Sequence, residues 1–146
     1  MLLVILASGA SVVAAWAGPE IDSASATRAK PGAIVQLRAG AGLRLWEVLP
    51  LYLVRASSAP APTPCRLRNG HAALCSPTAP SPPTGGTYHR IATIDTRHSN
   101  MITVRFRVPT LSPGSYVYVF YCGGCTKGPR GSLVVWAQRP RLTILR

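Results

Sequence analysis

Cys122 and Cys125, separated by Gly123-Gly124, are the residues of this chain whose types and spacing come nearest to a reaction centre. A CxxC pair can exchange disulfides, supply one knuckle of a zinc site, or close on itself as a bridge. Disulfide exchange needs the first cysteine at a helix N-terminus, where the dipole lowers its pKa. Here Cys122 ends a strand-forming run, Tyr116 to Cys122, and no helical period follows it. The other two cysteines, Cys65 and Cys75, are too far apart in sequence to make the second short knuckle of a zinc site. An extracytoplasmic metal-binding or thiol/disulfide protein using Cys122 and Cys125 is therefore an alternative rather than the leading reading.

Four cysteines allow three disulfide connectivities, and sequence leaves the choice open. Pairing Cys65 with Cys75 and Cys122 with Cys125 closes short loops worth roughly 2.8 and 1.9 kcal/mol, whereas Cys65 with Cys122 gives roughly 4.2 kcal/mol on the chain-entropy model. Locality nonetheless favours the first arrangement: a proline-rich loop stapled within itself needs no approach to the rest of the fold, and the glycine pair supplies the backbone angles of a tight cysteine loop.

Gly124-Cys125-Thr126-Lys127 resembles the Gly-Cys-x-Arg end of the motif of peptidoglycan L,D-transpeptidases. That resemblance implies a cell-wall cysteine enzyme with Cys125 as nucleophile, a second alternative. The upstream His-Gly element is missing and Lys127 replaces the arginine. His71, His89 and His98 form no i, i+2 or i, i+4 ligand pair, and Glu20, Asp22, Glu47 and Asp95 are too few for a carboxylate dyad or a calcium cage. There is no Gly-x-Ser-x-Gly elbow and no phosphate-cradling loop. The expectation is a non-catalytic protein with no catalytic residue, no metal and no cofactor.

Leu2 to Val13 is uncharged, too short to span a bilayer as a helix, and leads to Ala15-Trp16-Ala17, a small-x-small cleavage signal. This predicts a signal peptide over 1–17, a secreted or cell-envelope location, and cysteines exposed to oxidising conditions. The remaining single domain, 18–146, keeps the whole formal charge of +12. Such a charge favours an anionic cell-wall polymer or lipid surface as partner; without a binding motif, nucleic acid is disfavoured. The oligomeric state is not legible.

Strict alternation dominates the rest. Ile102, Val104, Phe106 and Val108 alternate with Thr103, Arg105 and Arg107, and Val35, Leu37 and Ala39 alternate with Gln36 and Arg38. Each reads as a strand with one wet face, so Arg38, Arg105 and Arg107 form the expected basic surface. Further strands are expected at Leu49 to Arg55, Ile91 to Ile94, Tyr116 to Cys122, Leu133 to Trp136 and Arg141 to Leu145, with an edge piece near Glu20 to Ser25. Residues 57–87, rich in proline, read as a long inserted loop stapled by Cys65 and Cys75.

The span Val108 to Val119, with Pro113-Gly114-Ser115-Tyr116 at its centre, resembles the approach to a late strand in immunoglobulin-like and fibronectin-III-like sandwiches of secreted proteins. The resemblance implies an all-β, two-sheet sandwich of about seven or eight short strands, with Pro113, Gly114 and Tyr116 structural and Tyr116 as a tyrosine corner. No cysteine in the Val35 to Ala39 strand matches Cys122, so the inter-sheet disulfide of antibody domains is not expected. Copper-carrying sandwiches of the CopC type share the architecture but need an N-terminal histidine, which Gly18-Pro19-Glu20 does not supply.

Overall fold

A computed structural model describes residues 21–39, 48–59, 63–66, 72–75, 81–98, 102–123 and 132–146. Among these the chain is all-β. The strands are β1 (Ile21–Ala24), β2 (Arg28–Ala29), β3 (Ile34–Ala39), β4 (Val48–Arg55), β5 (Thr63–Arg66), β6 (Ala72–Cys75), β7 (Tyr88–Asp95), β8 (Ile102–Arg107), β9 (Gly114–Cys122) and β10 (Ser132–Ile144). A single 3-10 turn, Ala56–Ser58, follows β4.

Two sheets result. One has the order β1-β3-β8; the other runs β5-β6-β10-β9-β4-β7, with β2 added in parallel to β10. The larger sheet curls into a half-barrel. Alternation sorts the side chains as the period of two requires. Val35, Leu37, Val104 and Phe106 from the small sheet meet Leu51, Leu53, Tyr118 and Phe120 from the large one in a single buried cluster. Phe106 and Tyr118 pack edge to face across it, with ring centroids 6.1 Å apart.

β9 is buried on both faces. Tyr116, Tyr118, Phe120 and Cys122 enter the inter-sheet core, while Val117, Val119 and Tyr121 join Tyr52 and Val54 in a second cluster behind the large sheet. A strand covered on both sides needs a continuous apolar run, and Tyr116 to Cys122 is one. Ala56, Ala59 and Tyr88 pack against this second cluster.

Three expectations need correction. The 57–87 segment is not wholly a loop: β5 and β6 pair as a hairpin, and Val134 of β10 extends the sheet to Cys75. Proline content hid this, yet Pro64 is tolerated in β5 because that strand is an edge. Second, the two strands expected at Leu133 to Trp136 and Arg141 to Leu145 are one, β10. Its register against β9 breaks between Val135 and Ala137 and again between Ala137 and Leu142, so Pro140 is accommodated where the ladder is interrupted.

Third, the strand expected at Ile91 to Ile94 begins at Tyr88 and carries a bulge. Leu51 faces Ala92, but Tyr52 faces Arg90, leaving Ile91 as the extra residue. Pro50 sits in a strand that is interior to the sheet, paired with Thr93 of β7 and just before the β4–β9 ladder starts at Leu51. The expected edge piece near Glu20 to Ser25 is β1, paired with β3.

Candidate functional site

The small sheet builds the basic surface. β3 and β8 pair without a bulge, Ile34 facing Arg107, Gln36 facing Arg105 and Arg38 facing Thr103. Because Val35, Leu37, Val104 and Phe106 point inward, the six residues of that register form one outward face, on which Arg38, Arg105, Arg107 and Thr103 are exposed. The sequence places these arginines on the wet faces of two strands and in one expected basic surface; strand pairing shows how they come together.

Ideal sheet spacing puts Arg105 roughly 7 Å from Arg107 along the strand, and Arg38 roughly 7–8 Å diagonally from Arg105. Both separations fall within the Debye length of about 8 Å at physiological salt, so the charges reinforce one another's potential. Like charges so placed cost the sheet stability, and an anion laid across them removes that cost.

One of the three is anchored. Gly32, at φ +86°, sits in the left-handed region that a type II turn requires, and Ala33 N donates to Lys30 O at 3.2 Å. The turn points the Gly32 carbonyl at Arg107, whose Nη1 donates to it at 2.8 Å. Gly32 N in turn donates to Val108 O, also at 2.8 Å, tying the turn to the end of β8. Of the described ion pairs, Arg97 with Asp95 at 2.7 Å lies elsewhere, on the far end of β7. The Arg97 side chain and backbone N–H hold the Asp95 carboxyl well below the usual carboxylate range, so this acid is neutralised locally and does not offset the arginine face.

The corner preceding β9 is a separate structural unit. Tyr116 is buried, and its hydroxyl donates to Ser112 O at 2.7 Å. Arg55 Nη2 donates to Pro113 O at 3.0 Å. A Cβ on Gly114, at φ +151°, would stand 2.9 Å from that Arg55 nitrogen, so glycine serves both the backbone angle and the approach of the guanidinium. Tyr118, two residues on, is fully buried with a hydroxyl that has no hydrogen-bond partner, and burial pushes its phenol well above the ordinary range.

These two tyrosines predict opposite outcomes. Tyr116→Phe loses a satisfied hydrogen bond and is expected to cost about 1 kcal/mol, whereas Tyr118→Phe removes an unsatisfied buried hydroxyl and is expected to leave stability unchanged or raise it by about 1 kcal/mol. Urea titration of both variants checks the signs.

Cys122 is fully buried in the core and disulfide-bonded. Cys125 lies outside the described residues, as do the side chains of Cys65 and Cys75. In the backbone register, Cys65 faces Ala73 and Cys75 faces Thr63, so the two cysteines of the hairpin are not directly opposite one another. Among the described residues, no three His, Cys, Asp or Glu side chains cluster as metal ligands would, and no helix is long and apolar enough to cross a membrane. His71 lies outside the described residues.

Comparison with protein-family models, with curated proteins and with solved structures returned no match. Sequence reasoning missed a groove beside the β4–β7 ladder, lined by Tyr52, Tyr88, His89, Arg90, the turn at residues 82–85 and Pro109. Its formation depends on the Ile91 bulge, for which the sequence carries no signal.

Proposed function

We propose that this chain is a secreted or cell-envelope, non-catalytic binding module that holds an anionic cell-surface polymer on the face bearing Arg38, Arg105 and Arg107. The observation that carries it is the unbroken β3–β8 register, which gathers three guanidinium groups on one exposed face of a chain with a formal charge of +12. Arginine suits such a partner, because its planar fork of donors matches carboxylate, phosphate and sulfate oxygens and keeps its charge at every physiological pH. A polymer fits better than a bilayer. Ile34 is the large apolar side chain exposed on this face, half of it accessible, which is little to insert among acyl chains.

The fold is read as immunoglobulin-like. Supporting this are a β1-β3-β8 sheet packed on a sheet containing β10-β9-β4-β7, and a tyrosine at the start of the central strand bonded to backbone four residues upstream. On that reading the β5–β6 hairpin is an insertion between neighbouring strands, and disulfide-bonded Cys122 serves the fold.

Retention on immobilised linear polyphosphate tests the function. The wild-type chain is expected to bind at low ionic strength and to be released by salt; retention that does not change between low and high salt would overturn the proposal.

A further inference from the structure

The groove beside the β4–β7 ladder has the features of a second site. It measures about 460 Å³, within the range of ligand clefts. One wall is the β4–β7 ladder, where the bulge at Ile91 matters most. Without it, Arg90 would face Leu53 and point into the core; with it, Arg90 lies opposite Tyr52, and Tyr88 opposite Val54, on the outer face. The other wall is the turn carrying Pro82, Pro83 and Thr84, which Gly85 and Gly86 return to β7 at φ +72° and +67°.

The components have distinct chemistry. Tyr52 and Tyr88 pack edge to face, centroids 6.0 Å apart and planes at 89°; Tyr52 is almost wholly buried and Tyr88 half-buried. Burial pushes both phenols up, so each stays a protonated donor at neutral pH. Arg90 is exposed and steadied by one bond, Nη2 to Thr93 Oγ1 at 3.1 Å. Among the described residues, no acidic side chain lines the groove.

We propose that this groove binds a carboxylate-bearing sugar residue, with Arg90 taking the carboxylate and Tyr88 and Pro83 packing against the C–H face of the ring. The charge selects an anion, since Arg90 meets no acid there among the described residues. The rim selects the rest. Apolar proline rings and a tyrosine alternate with the Thr84 hydroxyl and the phenols, matching a ring with an apolar face and polar edges. An acyl chain would leave those hydroxyls without partners, at a cost in affinity. None of Arg38, Arg105 and Arg107 is among its lining residues, although Pro109, just beyond β8, is one.

Calorimetric titration of the full chain with oligogalacturonate, with a glucuronate-containing oligosaccharide and with neutral galactan fragments of matched length tests it. Saturable binding of at least one acidic oligosaccharide is expected, at least about tenfold tighter than the neutral fragments. Arg90→Ala and Tyr88→Ala should each weaken it about tenfold or more, consistent with losing a charge-assisted bond or a packed ring. Arg90→Lys, which keeps the charge and loses the fork, should recover part of the binding, and Tyr88→Phe should recover most of it. Arg28→Gln, an exposed arginine on β2 beside β10, should change it less than about twofold. Absence of saturable binding to either acidic oligosaccharide, equal binding of neutral and acidic fragments, or displacement by a proline-rich peptide or anionic vesicles at lower concentration than by the sugar would overturn the proposal.

Discussion

Val119→Asp is expected to abolish folding at 25 °C. Val119 is fully buried, on the face of β9 that points away from the inter-sheet core, in the cluster with Tyr52, Val54, Val117 and Tyr121. An isolated carboxylate there has no cationic partner in the cluster, and even after neutralisation a buried acid without hydrogen bonds costs several kcal/mol. Domains of this size are stable by only about 5–15 kcal/mol, so that loss is decisive. Thr103→Asp places the same side chain on the exposed face opposite Arg38 and should leave the fold intact. Circular dichroism and thermal melting of the two variants separate the outcomes. A cooperative melt for Val119→Asp close to that of the wild type would mean that the back of the large sheet is not a second core.

The second large effect concerns binding. Replacing Arg38, Arg105 and Arg107 together by Gln keeps length and polarity but removes the charge from one face. Counterion release then gives the expected size: losing three phosphate contacts should lower the slope of log affinity against log salt by roughly 2. At low salt the affinity for linear polyphosphate should fall by on the order of a hundredfold, which corresponds to about 2.7 kcal/mol. Stability should change by no more than about 1 kcal/mol, because relief of neighbouring like charges offsets loss of the Arg107 bond to the Gly32 carbonyl. The matched control, Gln at Arg28, Arg97 and Arg141, removes equal charge elsewhere. If it reduced affinity and slope as much, net charge rather than the β3–β8 face would be responsible.

Much of the fold was legible because alternation is a local signal. Ile102 to Val108 and Val35 to Ala39 each declared a wet and a dry face, and the arginines of the basic face could be named from that period alone. What could not be read is which strands pair. Arg38 and Arg105 are neighbours only through the register of β3 with β8.

The misses share a cause: prolines and bulges act through tertiary pairing. Pro64 falls in the segment expected as a loop and Pro140 between two expected strands, but one lies on an edge strand and the other where the β9–β10 ladder is interrupted. The Ile91 bulge turns Arg90 outward, and a one-residue slip of this kind leaves no mark in the hydrophobic pattern of so short a strand. Alternation within Tyr116 to Cys122 puts Tyr116, Tyr118 and Phe120 on one face, which is the one that enters the inter-sheet core. That Val117, Val119 and Tyr121 are buried too follows from what packs behind the sheet.

The guanidinium Nε–H resonances, followed by NMR during titration of the full chain with a short linear polyphosphate, test the central claim most directly. This probe contains no sugar and so reports on the arginine face apart from the groove. The expected result is saturable shifts at Arg38, Arg105 and Arg107, with the backbone amides of β3 and β8 moving in step and Arg90 and Arg141 nearly still. Shifts spread evenly over all exposed arginines, or concentrated away from β3 and β8, would contradict the account.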